Sequence, residues 1–260
     1  MQSIEPMVSI IIPNFNCEKF IGLTIDSVIS QSFQNWELIV VDDCSTDKSR
    51  DVIQKYVDAD TRVRLLVMEK NSGGPAGPRN LGIEKANGSL IAFLDSDDIW
   101  HPKKLEYQLK FMNENHVNFT STMRLVFSND HEVQHSEIGF SKKTNKISYH
   151  SLLKKNMIVT SSVIVQRDLI GETRFNTSKS YVAIEDYDFF LDLLKKGSEI
   201  DILKMPLVHY RISTQNISKN KMKMAKKVRG MLIDRKGEIL GHYYFIWYSL
   251  LSLLYLIKKR

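Results

Sequence analysis

Leu90-Ile91-Ala92-Phe93-Leu94-Asp95-Ser96-Asp97-Asp98 runs five apolar residues directly into a cluster of three carboxylates. An apolar run of this length predicts a core strand of a sheet covered on both faces. Open parallel sheets place their ligands just beyond the carboxyl ends of such strands. Carboxylates crowded there repel one another unless a cation or another partner joins them. Hard oxygen ligands suit Mg²⁺ or Mn²⁺, ions that keep positions open for substrate phosphates. Asp and Ser are also common loop formers, and Asp98 suits a helix cap. The surrounding sequence therefore has to decide.

Upstream, elements alternate. Residues 8–12 (Val-Ser-Ile-Ile-Ile) predict a strand, and 19–31 a helix turning Phe20, Leu23, Val28 and Ile29 to the core. Residues 36–41 predict a second strand, ending in Asp42-Asp43. Ser45-Thr46-Asp47 supplies N-cap chemistry for a helix whose Val52, Ile53, Tyr56 and Val57 share a face. A third strand over 63–68, a turn-rich loop over 73–78 and a helix over 79–86 lead to the acidic run. Four strand–helix units of this kind predict a parallel, doubly wound sheet. Neither G-x-x-x-x-G-K-[ST] nor G-x-G-x-x-G is present, so a cation is the better candidate than a helix N-terminus for holding phosphates. Downstream, 119–127 and 157–165 predict strands around a polar stretch, 128–146, expected as loop or hairpin. Residues 184–196 predict a helix with Phe189, Phe190, Leu193 and Leu194 inward and Gly197 as its stop. Two extended segments, 200–205 and 207–212, flank Pro206.

At 260 residues, 43% apolar and 25% charged, the composition is that of a globular protein of one large or two small domains. Cys17 and Cys44 make no disulfide framework and have no metal-ligand neighbours. The N-terminus lacks a basic region followed by an apolar stretch, so a reducing cytoplasm is expected. The formal charge of +6 is uneven: Lys219, Lys221, Lys223, Lys226, Lys227, Arg229, Arg235 and Lys236 stand against Asp234 alone. A solvated helix face, a nucleic-acid patch and a contact with anionic lipid all suit such a segment. From 239 to 257 no residue carries a formal charge, and Lys258-Lys259-Arg260 closes the chain. That length is borderline for a span. His242, Ser249, Ser252 and Tyr255 form a stripe on a helix and leave a broad Leu/Ile/Phe/Trp face opposite. A helix lying in a membrane surface fits this pattern better than a spanning one. A helix packed on the core or on a second subunit is the competing expectation.

Five motifs occur in order: residues 8–16 (VSIIIPNFN), 40–47 (VVDDCSTD), Arg79-Asn80-x-Gly82, 93–98 (FLDSDD) and Glu185-Asp186-Tyr187-Asp188. Together they resemble the family-2 inverting glycosyltransferases of the GT-A fold, over residues 7–215. The resemblance implies an α/β, Rossmann-like, mostly parallel sheet with helices on both faces and a C-terminal helical, membrane-associated extension. It implies a 1–215 transferase domain, with 1–98 as nucleotide-sugar half and 99–215 as acceptor half, and an extension over 216–260. Phe15 would stack on uracil, and Asp43 would accept from its N3–H. Pro13, Arg79 and Asp95 would complete the nucleotide-sugar contacts. Asp95 and Asp97 would hold Mn²⁺ or Mg²⁺, and Asp186 would be the base. On a helix Asp186 and Asp188 point about 200° apart, so only one faces the acceptor.

The resemblance further implies a UDP-sugar donor and a lipid-linked saccharide acceptor, such as GlcNAc-diphospho-undecaprenol receiving β-1,3-Gal or Glc. The setting would be O-antigen, capsule or exopolysaccharide synthesis at the cytoplasmic face of a bacterial inner membrane, with no nucleic-acid partner. Two departures stand out: Pro78 precedes the Arg-Asn pair where many relatives have Ala, and Ser213 stands where many have a His after Tyr210-Arg211-Ile212. The absence of Gln-x-x-Arg-Trp favours single addition over polymerisation. A nucleotidyltransferase and a nucleic-acid-binding protein remain the rival readings.

Overall fold

Side chains of the N-terminal strands alternate between two apolar layers, and that alternation is why helices cover both faces of the sheet. The computed structural model describes residues 8–212 and 221–258. In it β1 (Val8–Asn14), β2 (Trp36–Asp42), β3 (Val63–Val67) and β4 (Leu90–Phe93) are mutually parallel neighbours in the order β3-β2-β1-β4. Ile11, Ile39, Val41, Ile91 and Phe93 enter one layer with Ile83 of α3 (Ala76–Lys85) and Phe189 of α7 (Glu185–Lys195). Ile10, Ile12, Leu38, Val40 and Ala92 enter the other. There they meet Ile25 of α1 (Ile21–Ile29), Ile53 of α2 (Ser49–Ala59) and Leu105 of α4 (Lys104–Asn115).

Past β4 the sheet turns mixed. Its order continues β4-β8-β6-β9-β5, with β5 (Ile99–Trp100), β6 (Phe119–Phe127), β8 (Ile164–Gln166) and β9 (Ile200–Arg211), while β7 (Thr144–Ile147) pairs with β9. Short α5 (Tyr149–Lys154), N-capped by Ser148, and α6 (Arg167–Ile170) fill the connections. Gly82 explains the spacing of the Arg-Asn-x-Gly motif: a Cβ there would lie 2.4 Å from Ile11 Cγ2, so only glycine lets α3 settle on β1.

Several expectations give way. Leu23 is exposed, because the inward face of α1 is Ile21, Ile25 and Val28. The helix expected over 79–86 begins at Ala76. Pro78 falls in its first turn, where the missing N–H has no helical partner to lose. Helix α4 was not anticipated, although Leu105, Leu109 and Met112 carry its period. Of the strand expected over 157–165 only the end is strand; Thr160–Ser162 is a 3₁₀ turn, closed by Ser162 N–H donating to Val159 O. The two segments around Pro206 are one strand. Pro206 sits where the register with β6 shifts at Met123, a place that needs no ladder donor.

After the undescribed residues 213–220, α8 (Lys221–Lys236) sends Val228, Met231 and Leu232 into the first layer. A positive φ at Gly237 then turns the chain into α9 (Glu238–Lys258). Gly241 allows the close return, since a Cβ there would lie 2.6 Å from Ile233 Cα. Tyr244, Phe245 and Tyr248 of α9 pack on the core, with Tyr248 stacked on Tyr187 at 6.2 Å. The opposite face, Ile239, Leu240, Tyr243, Ile246, Trp247 and Leu250, is exposed. Among the described residues no helix is long and apolar enough to cross a membrane. Ser213, the 215/216 boundary, Lys219, Lys259 and Arg260 lie outside the described residues, as do the side chains of Lys221 and of residues 253–258, Tyr255 among them.

Three histidines fasten the polar 128–143 stretch to the sheet. His135 rings meet His209 of β9 at 5.1 Å and His101 at 5.5 Å, both edge-on. His101 Nδ1 accepts from Lys103 N–H, which leaves Nε2 to donate to Ser136 O. Burial first, then His135 and His101, push the His209 pKa down to about 4. The folded state thus binds fewer protons than the unfolded chain between about pH 4 and 6.5. This stability is complete above pH 6.5 and is lost as pH falls toward 4. We expect His209→Gln to flatten urea-unfolding stability across that window by on the order of 2 kcal/mol relative to the wild type. Equal slopes in the two proteins would refute the linkage.

Candidate functional site

Parallel pairing aligns the carboxyl ends of β2, β1 and β4, since Asn14 registers with Asp42 and Ile11 with Phe93. The loops that follow these strands enclose a cavity of about 540 Å³. All seven residues singled out from sequence line it: Pro13, Phe15, Asp43, Arg79, Asp95, Asp97 and Asp186. Phe15 is half exposed, so its ring is available at the mouth and is no core aromatic. Asp42, fully buried, serves the fold: Asn14 Nδ2 donates to it at 2.8 Å and Ser45 N–H at 2.9 Å. Asp43 accepts from Ser72 N–H and Ser72 Oγ, at 2.8 and 2.9 Å. At the start of α2 the N-cap position is Lys48, and Asp47 Oδ1 just before it accepts from Ser49 N–H.

Arg79 is deeper than expected of a nucleotide contact. Only 3% exposed, it bridges two of the motifs, donating to Asp95 at 2.6 Å and to Glu185 at 3.0 Å. Burial alone would lower its pKa, but Asp95 and then Glu185 outweigh it and hold the guanidinium charged. Asp186, next along α7, turns elsewhere: Thr160 Oγ1 donates to it at 2.8 Å. Burial raises the Asp186 pKa, against the pull of Arg79 and Thr160. Asp188 points away from the cavity, as the helical spacing predicted, and takes Arg235 Nε at 2.7 Å. Glu185, Thr160 and Arg235 were not identified as partners from sequence. Thr160 lay in an expected strand, and the other two pair across 106 and 47 positions.

Asp98 is buried behind the cavity, accepting from Ser161 Oγ and from Arg211 N–H. Burial, then Asp97 and Asp95, hold its carboxyl far above the usual range. Asp97 faces the cavity, and burial followed by Asp95 pushes its pKa up to about 6, with Arg211 opposing. Arg211 Nε donates to Asp97 O, and its guanidinium pairs with Asp130 at 2.6 Å. His209, two residues before Arg211, belongs to the histidine cluster and does not line the cavity.

Among the described residues no three His, Cys, Asp or Glu side chains converge on a preformed metal site. The donor set fits a cation of another sort. One or two carboxylates completed by phosphate oxygens are a common way to hold Mg²⁺. Asp97, crowded by Asp95, is the carboxylate that a cation would relieve most. Backbone strain gathers at the same edge: Asn16, Cys44 and Ala183, all non-glycine, have φ of 48°, 62° and 73°. Such residues cost on the order of 1–3 kcal/mol each and persist where surrounding structure over-determines them. Here Asn16 Oδ1 takes Thr46 N–H at 2.7 Å, and Lys227 Nζ of α8 donates to Val182 O at 2.6 Å.

The family model described as "Glycosyl transferase family 2" matches residues 9–174. Over 242 residues the chain is 36% identical to the UDP-Glc:alpha-D-GlcNAc-diphosphoundecaprenol beta-1,3-glucosyltransferase WfgD of Escherichia coli, covering 92% of this chain and 90% of that protein. Its fold matches S. aureus TarS 1-349 in complex with UDP-GlcNAc, with TM-score 0.67 and 20% identity over 93% of this chain and 70% of that one. It also matches the mannosyltransferase PcManGT from Pyrobaculum calidifontis in complex with GDP-Man and Mn²⁺, with TM-score 0.66 and 15% identity over 95% and 74%. At such identities the structural likeness is one of fold, the GT-A fold.

Removing Arg79 leaves Asp95 and Glu185 facing each other without a counter-charge. Breaking a buried pair from one side typically costs about 3–5 kcal/mol. We expect Arg79→Met to lower unfolding stability by that order, and the double variant Arg79→Met/Glu185→Gln to recover part of it. A single variant as stable as the wild type would show that the bridge holds nothing together.

Proposed function

Because the chain belongs to glycosyl transferase family 2, we propose that it transfers one sugar from a UDP-sugar to a lipid-linked saccharide, inverting the anomeric carbon. The observation that carries this reading is the convergence of Phe15, Asp43, Asp95, Asp97 and Asp186 on one cavity. Phe15 stacks on the uracil ring and Asp43 accepts from its N3–H, beside Pro13. Arg79 fixes Asp95 and so shapes the diphosphate end of the site from beneath. Asp97, with Asp95, holds Mn²⁺ or Mg²⁺, which when bound offsets the charge growing on the departing UDP. Asp186 removes the proton from the acceptor hydroxyl as that oxygen bonds to the anomeric carbon and the bond to UDP breaks. A carboxyl raised by burial suits a base working near neutrality. Residues 1–98 thus serve the donor and 99–215 the acceptor.

The name of WfgD specifies UDP-Glc and a GlcNAc-diphosphoundecaprenol acceptor. This supports the same substrate classes here, β-1,3-Gal or Glc transfer among them, in O-antigen, capsule or exopolysaccharide assembly. An acceptor of this class suits an enzyme that works at the cytoplasmic face of a bacterial inner membrane. There the exposed apolar face of α9 lies in the interface, with Lys154 held against Trp247 at 5.3 Å. Part of the basic charge of α8 is engaged internally, by Lys227 with Val182 O and by Arg235 with Asp188 and Asp192, which weakens a nucleic-acid reading.

A panel of UDP-sugars with Mn²⁺ and a lipid-diphosphate saccharide tests the reaction. UDP release is expected; release of inorganic diphosphate would instead identify a nucleotidyltransferase. In that assay Asp97→Asn or EDTA is expected to nearly abolish turnover. Asp186→Asn is expected to slow it about 10²- to 10⁴-fold with UDP affinity retained. Activity that survives EDTA, or an Asp186→Asn variant that loses UDP binding, would overturn the assigned roles.

The exposed face of α9 can be tested without disturbing its packed face. Ile246→Glu with Trp247→Glu is expected to weaken binding to anionic liposomes about tenfold or more, with the unfolding midpoint unchanged. Liposome binding equal to the wild type's would remove the membrane role from this face.

A further inference from the structure

Beyond Thr120, β6 leaves its antiparallel partner. β8 pairs only with Phe119 and Thr120, and among the described residues 121–127 continue along β9 alone. This open half is apolar yet exposed: Met123 is 49% accessible, Leu125 42% and Val126 46%. An apolar open strand edge invites aggregation unless something covers it. Between these residues stands Arg124, exposed, its guanidinium 4.6 Å from the centre of the Tyr210 ring. It makes no ion pair or hydrogen bond among the described residues. Tyr210 lines the catalytic cavity and is the register partner of Val126, so Arg124, Val126 and Tyr210 share the cavity face of the β6–β9 ribbon.

The cavity is otherwise acidic. Asp43, Asp95, Asp97, Glu185 and Asp186 line it, and the one cation that lines it among the described residues, Arg79, is taken by Asp95 and Glu185. An anionic acceptor approaching that wall meets repulsion unless a cation stands at the rim. We propose that the open half of β6 is the anchor for the acceptor: Arg124 binds its diphosphate on the cavity face, where Val126 takes the start of the lipid chain, and the chain then crosses the open edge to Met123 and Leu125 on the other face. This rests on the lipid-linked acceptor proposed above. A guanidinium presents paired donors that match phosphate oxygens, and Tyr210 holds it in place before the ligand arrives. A cation beside Val126, at an edge that leads to further exposed apolar side chains, suits a phosphate carrying a hydrocarbon better than a free sugar.

Steady-state kinetics on the full chain, with two acceptors that bear the same sugar, test the anchor. One acceptor carries the sugar on a lipid diphosphate, the other on a neutral alkyl chain. Arg124→Ala is expected to raise KM for the diphosphate acceptor about tenfold or more, in keeping with the loss of a charged hydrogen bond. KM for the neutral acceptor, UDP affinity by calorimetry and the unfolding midpoint should stay within twofold or a degree or so of the wild type. Arg124→Lys should recover part of the loss. An unchanged KM in Arg124→Ala, an equal loss with both acceptors, or weakened UDP binding would overturn the anchor while leaving the proposed reaction standing. A wild-type enzyme that transfers to the neutral acceptor but to no lipid diphosphate would refute the acceptor class itself, and the anchor with it.

Discussion

Everything at the carboxyl edge of the sheet depends on one buried cation. Arg79 stands between Asp95, at the end of β4, and Glu185, at the start of α7. Without it two carboxylates would share a poorly hydrated space, and the helix N-terminus could not close on the strand. With it Asp95 and Glu185 are fixed to each other through α3. Asp186 is left in a different hydrogen-bonding environment, held by Thr160 and without an ion pair among the described residues. One cation thus pairs two of the acids that line the cavity, Asp95 and Glu185, while Asp97 and Asp186 make no ion pair among the described residues. Gly82, three residues on, lets α3 approach β1 closely enough to deliver it.

The C-terminal helices extend this arrangement. Arg235 of α8 takes Asp188, two residues beyond Asp186, and Lys227 holds the carbonyl of Val182 just ahead of α7. The N-terminal part of the helix that bears Asp186 is therefore braced by α8, and α8 buries Val228, Met231 and Leu232 in the same layer as the sheet. A segment that reads as a basic tail in sequence is, over much of its length, part of the wall behind the cavity. α9 divides differently. Its Tyr244, Phe245 and Tyr248 complete the core, while Ile246, Trp247 and Leu250 remain outside. Of the two opposed readings of that segment, the packed helix describes its inner face, and the interfacial helix is what we propose for its exposed one.

The sequence by itself determined the N-terminal half. Near-continuous apolar runs in 8–12 and 36–41 force two-sided burial, and turn chemistry after each strand forces parallel crossovers, so Phe15, Asp43 and Asp95–Asp97 had to reach one edge. The spacing of Asp186 and Asp188 alone set them on opposite sides of a helix. Only the tertiary structure decided the rest. The 160–162 turn reads as strand because Thr and Ser suit both, and its 3₁₀ form follows from neighbours at β4 and β6. Leu23 is outside because the phase of α1 is set by what α2 and β5 offer. Pro206 does not break β9 because β9 itself bulges there against β6. The partners of Arg79, Asp188 and Arg124 lie tens of positions away in the chain. Local periodicity records which face of an element is apolar, but a pairing between distant charges is a property of the packed solid and leaves no mark in either segment alone.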